Sequence, residues 1–207
     1  MKKRLDYTLI AEGYAEYAFV PTYLKLVADQ SGIQAVRSKL GFKGRDAGKS
    51  KVLQEADPIS TVAILQNHQL IIVGIDLDGA DHEVEQPRHT AECQTIVAAL
   101  GKNYKIYPDR FVYFVTVQAI EQWLAYQAHK VGLAQKFPVN SLESKQQSEL
   151  KKILYGQKDN GFTMDRVAEN IASSADFEEL SRQSRSFKHF HHQVVEFLTQ
   201  YNKTTEP

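Results

Sequence analysis

Two pairs of acidic residues leave apolar runs of this chain in the same way. Glu12 and Glu16, in Glu12-Gly13-Tyr14-Ala15-Glu16, follow Tyr7-Thr8-Leu9-Ile10-Ala11. Asp76 and Asp78, in Asp76-Leu77-Asp78, follow Leu70-Ile71-Ile72-Val73-Gly74-Ile75. Each apolar run reads as a buried strand. Parallel strands of an open α/β sheet release their chains at one rim, where ligands bind, so acids distant in sequence can meet there. Clustered carboxylates repel, and burying them unpaired is costly. A cation is the natural compensation, and oxygen-only ligands suit Mg²⁺ or Mn²⁺. A third apolar run, Phe111–Val117, is followed in like manner by Glu121, which a helix dipole alone could also favour. One or two divalent ions on such a cluster can activate a water and neutralise a departing oxyanion, the needs of phosphodiester hydrolysis.

A polyanionic substrate beside carboxylates needs counter-charge. Arg37, Lys39, Lys43, Arg45, Lys49 and Lys51 crowd one short stretch with only Asp46 opposing them. This stretch is either a solvated loop or a phosphate-contacting flap, with Lys43, Arg45 and Lys49 the candidate substrate contacts.

The elements that must position these residues alternate. Strands are expected at 7–12, 33–40, 70–76 and 111–117. Helices are expected at 14–28, from about Val52 to Asn67, at 88–101 and at 119–131. Pro21 should kink or restart the first helix and Pro58 interrupt the second. Gly101 should end the third. The fully apolar run 111–117 reads as a central strand. After Phe137-Pro138 only helices remain, at Ser141–Tyr155, Met164–Ser173 and Ser184–Tyr201. The fold class is therefore α/β, a mostly parallel Rossmann-like sheet flanked by helices, over residues 1–137. A C-terminal helical extension, 138–207, packs on it.

Composition narrows the class further. Hydrophobic residues make up 43%, which suits a globular chain. No run reaches the ~18 apolar residues of a membrane span, and the basic start lacks a signal peptide's apolar segment. These features point to a cytoplasmic protein without membrane attachment. The single cysteine, Cys93, rules out an internal disulfide and a cysteine-built zinc site. Basic and acidic residues balance at 25 each, so overall charge does not advertise nucleic acid. A homodimer is compatible with the sequence.

Three other motifs fail on inspection. Gly44-Arg45-Asp46-Ala47-Gly48-Lys49-Ser50 has its glycines one residue too close for a P-loop, and no strong strand precedes it. Asp76-Leu77-Asp78-Gly79 begins like a calcium loop but has Asp81 and Pro87 where glycine and glutamate belong. His189 and His192 share a helix face without a local carboxylate to join them, so a solvated or RNA-facing surface is the expected role.

Together, Glu-Gly-x-x-Glu after the first strand and Asp-x-Asp after a later one resemble the Toprim domain of topoisomerases, primases and OLD-type nucleases. The runs Ala119-Ile120-Glu121-Gln122-Trp123-Leu124-Ala125 and Ser184-Arg185-Ser186-Phe187-Lys188-His189-Phe190 resemble a small Toprim-like family of about this length. Its members are often encoded beside an ATPase in anti-phage or mobile-element loci. The first likeness covers roughly residues 5–120 and the second nearly the whole chain. It implies a metal-dependent nuclease acting on DNA or RNA, with an ABC- or AAA-type ATPase as partner. Glu12 would be general base or metal ligand. Asp76 and Asp78 would coordinate Mg²⁺ (or Mn²⁺), and Glu16 and Glu121 would complete the catalytic set. Nucleases of this kind also place a lysine near the scissile phosphate, for which the sequence offers no clear match. The alternatives are a non-catalytic, metal- and nucleic-acid-binding switch module of an ATPase complex, and a phosphatase. For the latter, Ile71–Gly79 resembles the nucleophile strand of the haloacid-dehalogenase-like enzymes, although Ala80 stands where Thr or Val is usual.

Overall fold

The computed structural model describes residues 2–42, 47–157 and 160–203. Its four strands, β1 (Lys3–Ile10), β2 (Ile33–Arg37), β3 (Leu70–Asp76) and β4 (Phe111–Thr116), form one all-parallel sheet in the order β2-β1-β3-β4. The helices between them are α1 (Tyr14–Gln30), α2 (Gly48–Leu65) and α3 (Pro87–Ile106). After β4 come α4 (Glu121–Gln127), α5 (Gln147–Tyr155), α6 (Gly161–Ser174), α7 (Phe177–Gln183) and α8 (Arg185–Lys203). The expected α/β class and the C-terminal helices are thus present. From β1 the chain first winds outward to β2, then returns to the other side of β1 for β3 and β4. The strand order therefore reverses between β1 and β3, the position at which open α/β sheets leave a crevice.

Period-two alternation sends the strand side chains to two cores. Leu5, Tyr7, Leu9, Leu70, Ile72, Val112 and Phe114 meet α1, α4 and the C-terminal helices. Ile71, Val73, Ile75 and Val115 meet α2 and α3. The first core is aromatic: Trp123 lies against Phe114, Phe187 and Phe190 at centroid distances of 5.5, 5.1 and 5.7 Å. Gly74 lies opposite Phe114 in the register, and a Cβ there would stand 1.8 Å from the Phe114 Cζ. That glycine makes room for the ring.

Several elements differ from the sequence expectation. β4 is an edge strand rather than a central one. It is apolar because Trp123 and Phe190 cover one face and the α3 side the other, while α8 lies along its outer margin. There Gln193 accepts the Tyr113 N–H at 3.1 Å and donates to the Tyr113 carbonyl at 2.9 Å. Helix α1 runs unbroken through Pro21. A proline frees the carbonyl four residues earlier, and that carbonyl, of Tyr17, accepts from the Arg37 guanidinium at 3.2 Å. Helix α2 likewise continues through Pro58. Gly101 (φ 56°, ψ −121°) ends the first helical segment of α3 as expected, and a second segment continues across the kink to Ile106. The segment before Gln147 is turn rather than helix, and α7 is an element the sequence reading lacks, started by Asp176 Oδ1 accepting the Glu179 N–H at 2.8 Å. No described helix is long and apolar enough to cross a membrane.

Candidate active site

The crevice between β1 and β3 gathers acids from three strand ends. Glu12 follows β1 by one residue past Ala11. Its Oε1 accepts the Asp76 N–H at 2.7 Å, so the side chain joins the two strand ends just beyond their last paired residues, Ile10 and Val73. Its backbone carbonyl accepts the Ala47 N–H at 2.8 Å, which anchors the start of α2. Gly13 then permits a close approach: a Cβ there would stand 3.1 Å from the Glu16 Oε2. Glu16, in the first turn of α1, consequently folds back into the crevice and is only 4% exposed. Asp76 ends β3, 7% exposed, and its Oδ1 accepts the Thr116 hydroxyl from the neighbouring strand. Glu121 opens α4, 2% exposed, with the Tyr155 hydroxyl donating to its Oε1 at 3.4 Å.

Glu12, Glu16, Asp76 and Glu121 line one cleft of about 290 Å³. Burial raises all four carboxyls above their ordinary range, and for Glu16 and Asp76 their neighbours add to it. Glu16 is pushed up to about 8 by burial first, then by Glu121. Asp76 is raised well above its usual value by burial, then by Glu16, Glu12 and Glu121, against the Thr116 hydrogen bond. Glu12 is raised by burial, opposed by the Asp76 N–H. Glu121 is raised by burial and held back by Lys151. At neutral pH such a group holds protons unless a cation replaces them.

Asp78 stands apart from this set. Its backbone is left-handed (φ 56°), its side chain is 58% exposed, and Lys49 approaches it at 4.0 Å. It sits at the rim, near enough for its charge to act on Glu12. Lys49 also pairs with Glu92 at 3.0 Å. Lys43 and Arg45 lie outside the described residues. Of the remaining basic run, Arg37 supports α1, and Lys51 lies over the Phe42 ring at 5.3 Å. Asp81 is buried and accepts the His89 N–H at 2.8 Å, at the start of α3.

The far wall of the cleft comes from the C-terminal helices, which the sequence reading did not connect to it. Gln147 and Lys151 of α5 and Gly161 and Met164 of α6 line it. Lys151 and Tyr155 are one helical turn apart, so both face Glu121. A Cβ on Gly161 would stand 2.7 Å from the Tyr14 Cζ, which shows how tightly α6 closes on the start of α1. The lysine that the sequence left unassigned has a candidate here. Its only local signal is the i, i+4 pairing with Tyr155, which does not say what the helix faces.

The cleft offers hard carboxylate oxygens around a concave space, with an ammonium group at its wall. Such a set could hold a hard divalent cation and a bound anion together. Among the described residues, one group of His, Cys, Asp or Glu side chains brings three ligand atoms within 4.8 Å of one another, and it lies elsewhere: His89, Cys93 and His189. The expectation that a lone cysteine leaves no zinc site holds for sites of several cysteines, whereas this cluster needs one. His189, expected on a solvated or RNA-facing surface, is exposed and also meets the His89 ring, at 5.3 Å between ring centroids. Comparison of the chain with protein-family models, curated proteins and solved structures finds no match.

Proposed function

We propose that the protein is a divalent-metal-dependent nuclease that hydrolyses phosphodiester bonds of DNA or RNA, a Toprim-like enzyme acting with an ATPase partner. The observation that carries this reading is the gathering of buried Glu16, Asp76 and Glu121 with half-buried Glu12 in one cleft at the carboxyl ends of three parallel strands. Burying three acids beside a half-buried fourth is strongly unfavourable without compensation, and such a cluster is characteristic of functional sites. All-oxygen donors favour Mg²⁺ or Mn²⁺. When bound, such an ion supplies a water of lowered pKa and a counter-charge for the phosphate.

The side chains of the chain divide the remaining work. Glu12 accepts the Asp76 N–H at Oε1 and lies beside the Lys49 backbone N–H, and its remaining lone pairs ligate or take a proton from the attacking water. Asp76 and Glu16 serve as ligands, and Glu121 supports them from the next strand end. Lys151 stabilises the charge that develops on the phosphate oxygens. Lys49 and Asp78 frame the entrance.

One observation favours a second reading. Lys49 is already paired with Glu92 and Asp78, which suits a module that binds metal and nucleic acid as a switch without cutting. Calorimetry with Mn²⁺, together with nicking of plasmid DNA and cleavage of tRNA in the presence of the ATPase, separates the readings. The nuclease binds Mn²⁺ and cuts, and Asp76→Ala weakens metal binding at least tenfold and abolishes cutting. Metal and nucleic-acid binding without any cutting supports the switch. Equal Mn²⁺ binding by wild type and Asp76→Ala refutes the site itself.

A further inference from the structure

On the opposite side of the sheet from the aromatic core, α3 carries His89 and Cys93 at i, i+4, one above the other on a single face. His189 reaches the same point from α8, ninety-six positions after Cys93 by residue number. We propose that His89, Cys93 and His189 form a binding site for a Zn²⁺-class transition-metal ion, with the fourth coordination position open to the adjoining cavity.

The geometry fits that ion. Tetrahedral zinc, with Zn–N of about 2.0–2.1 Å and Zn–S of about 2.3 Å, sets neighbouring N and S atoms about 3.6 Å apart. His89 Nδ1 and Cys93 Sγ stand 3.8 Å apart. One ligand atom of each of the three residues lies within 4.8 Å of the others, so closing the site needs a shift of about an ångström. His189 can supply that shift, because it is the exposed member of the three.

A second observation points to a ligand. His89 is 5% exposed, and its Nε2 has no hydrogen-bond partner, while Nδ1 has only the weak thiol contact. The Val115 carbonyl acts on the ring but does not reach hydrogen-bonding geometry at Nε2. A buried imidazole this poorly satisfied is destabilising. Coordination would use the ring, and a small rotation toward Val115 would give its other nitrogen the outer hydrogen bond that ligating histidines usually have.

The rest of the surroundings decide the coordination number and the metal. Among the described residues no carboxylate oxygen joins these three ligand atoms within the same distance, so neither Asp81 nor Glu92 is in place as a fourth ligand. Beside the cluster lies a cavity of about 670 Å³ whose walls include Val97, Ala98, Tyr104 and Tyr113. The fourth ligand is therefore solvent or a small molecule entering there, the arrangement of an open rather than a closed zinc site. Burial pushes the Cys93 thiol up to about 12, so a metal must displace a proton that the apo site retains. Two imidazoles and a thiolate select against Mg²⁺, which makes this site chemically distinct from the carboxylate cleft.

The test uses the full chain after chelator treatment, titrated with Co²⁺ as an optical substitute for Zn²⁺. The expected result is that one equivalent gives the intense visible bands of four-coordinate Co²⁺ and a near-ultraviolet thiolate charge-transfer band, both displaced by Zn²⁺, while Co²⁺ taken up by the carboxylate cleft adds only weak bands. Cys93→Ser should lose the charge-transfer band. His189→Ala, at an exposed position, should keep the fold and weaken Co²⁺ at least tenfold. Asp76→Ala, in the other cleft, should change neither band. Absence of a thiolate band in the wild type overturns the proposal. So does unchanged Co²⁺ affinity in His189→Ala, or bands that survive Cys93→Ser and disappear in Asp76→Ala.

Discussion

Replacing Glu16 by Gln should make the metal-free protein more stable at alkaline pH and flatten its dependence on pH. In the folded chain Glu16 is raised from 4.5 to about 8. Between those values the folded state keeps a proton that the unfolded state releases. Stability from this group is therefore complete below about 4.5 and is lost as pH rises toward 8. At about 1.36 kcal/mol per pH unit the whole span is worth about 5 kcal/mol. Asp76, raised for the same reasons, acts with the same sign. His89, lowered to about 4 by burial and by His189, acts with the opposite sign between 4 and 6.5. The clean window is thus pH 6.5 to 8.5, over which Glu16 should account for a loss of about 2 kcal/mol. Urea unfolding followed by the fluorescence of Trp123, the only tryptophan and fully buried, reads this directly. Glu16→Gln should lose about 2 kcal/mol less than wild type across that window and exceed it in stability at pH 8.5. Saturating Mn²⁺ should restore the wild type at high pH by binding the ionised folded state. Parallel profiles for the two proteins would mean that Glu16 is already ionised at neutral pH, and the account of the cleft would fail.

Three further outcomes follow from the geometry. Glu12→Gln can still accept the Asp76 N–H through its amide oxygen, so nucleic-acid binding should persist while cleavage falls on the order of a hundredfold; Glu121→Gln should lose less, and an unimpaired Glu12→Gln enzyme removes Glu12 from the catalytic set. Lys151→Met should lower turnover on the order of a hundredfold while leaving the Mn²⁺ affinity measured by calorimetry within a few-fold, and unchanged turnover would strip Lys151 of its role. Gly74→Ala should destabilise the fold by about 3 kcal/mol because its methyl group would meet the Phe114 ring, and Phe114→Leu in the same chain should recover part of that loss in a melting experiment.

The strand ends were readable because parallel sheets obey a strong geometric rule. β3 was located from its uninterrupted apolar run, buried on both faces, and its exit at Asp76 followed directly. The same rule placed Glu12 and Glu121 at one rim. It could not tell that Asp78 turns outward, since that depends on a single left-handed residue after the strand. Lys151 and Tyr155 were hidden for a different reason: a short amphipathic helix shows which face is apolar, but not which cleft its polar face will close. The apolar character of β4 suggested a central strand because composition records burial and not the element that provides it; here α8 does. Pro21 misled in a similar way, as the compensating Arg37 comes from a separate element, strand β2. The histidine–cysteine cluster was invisible because one half resembled a lone thiol and the other a solvated histidine pair.

The double hydrogen bond from Gln193 to the Tyr113 peptide has a bearing on assembly. An edge strand is a template on which another chain can extend the sheet, and it is also where aggregation starts. At β4 one amide side chain already satisfies the donor and acceptor in mid-strand that an incoming strand would need, and the helix carrying it stands in that strand's path. A homodimer or an ATPase partner joining this protein by sheet extension would have to displace α8, and with it the Phe187 and Phe190 rings from the core. At the opposite margin, β2, no such side-chain bridge occurs among the described residues, so strand addition would meet less resistance there.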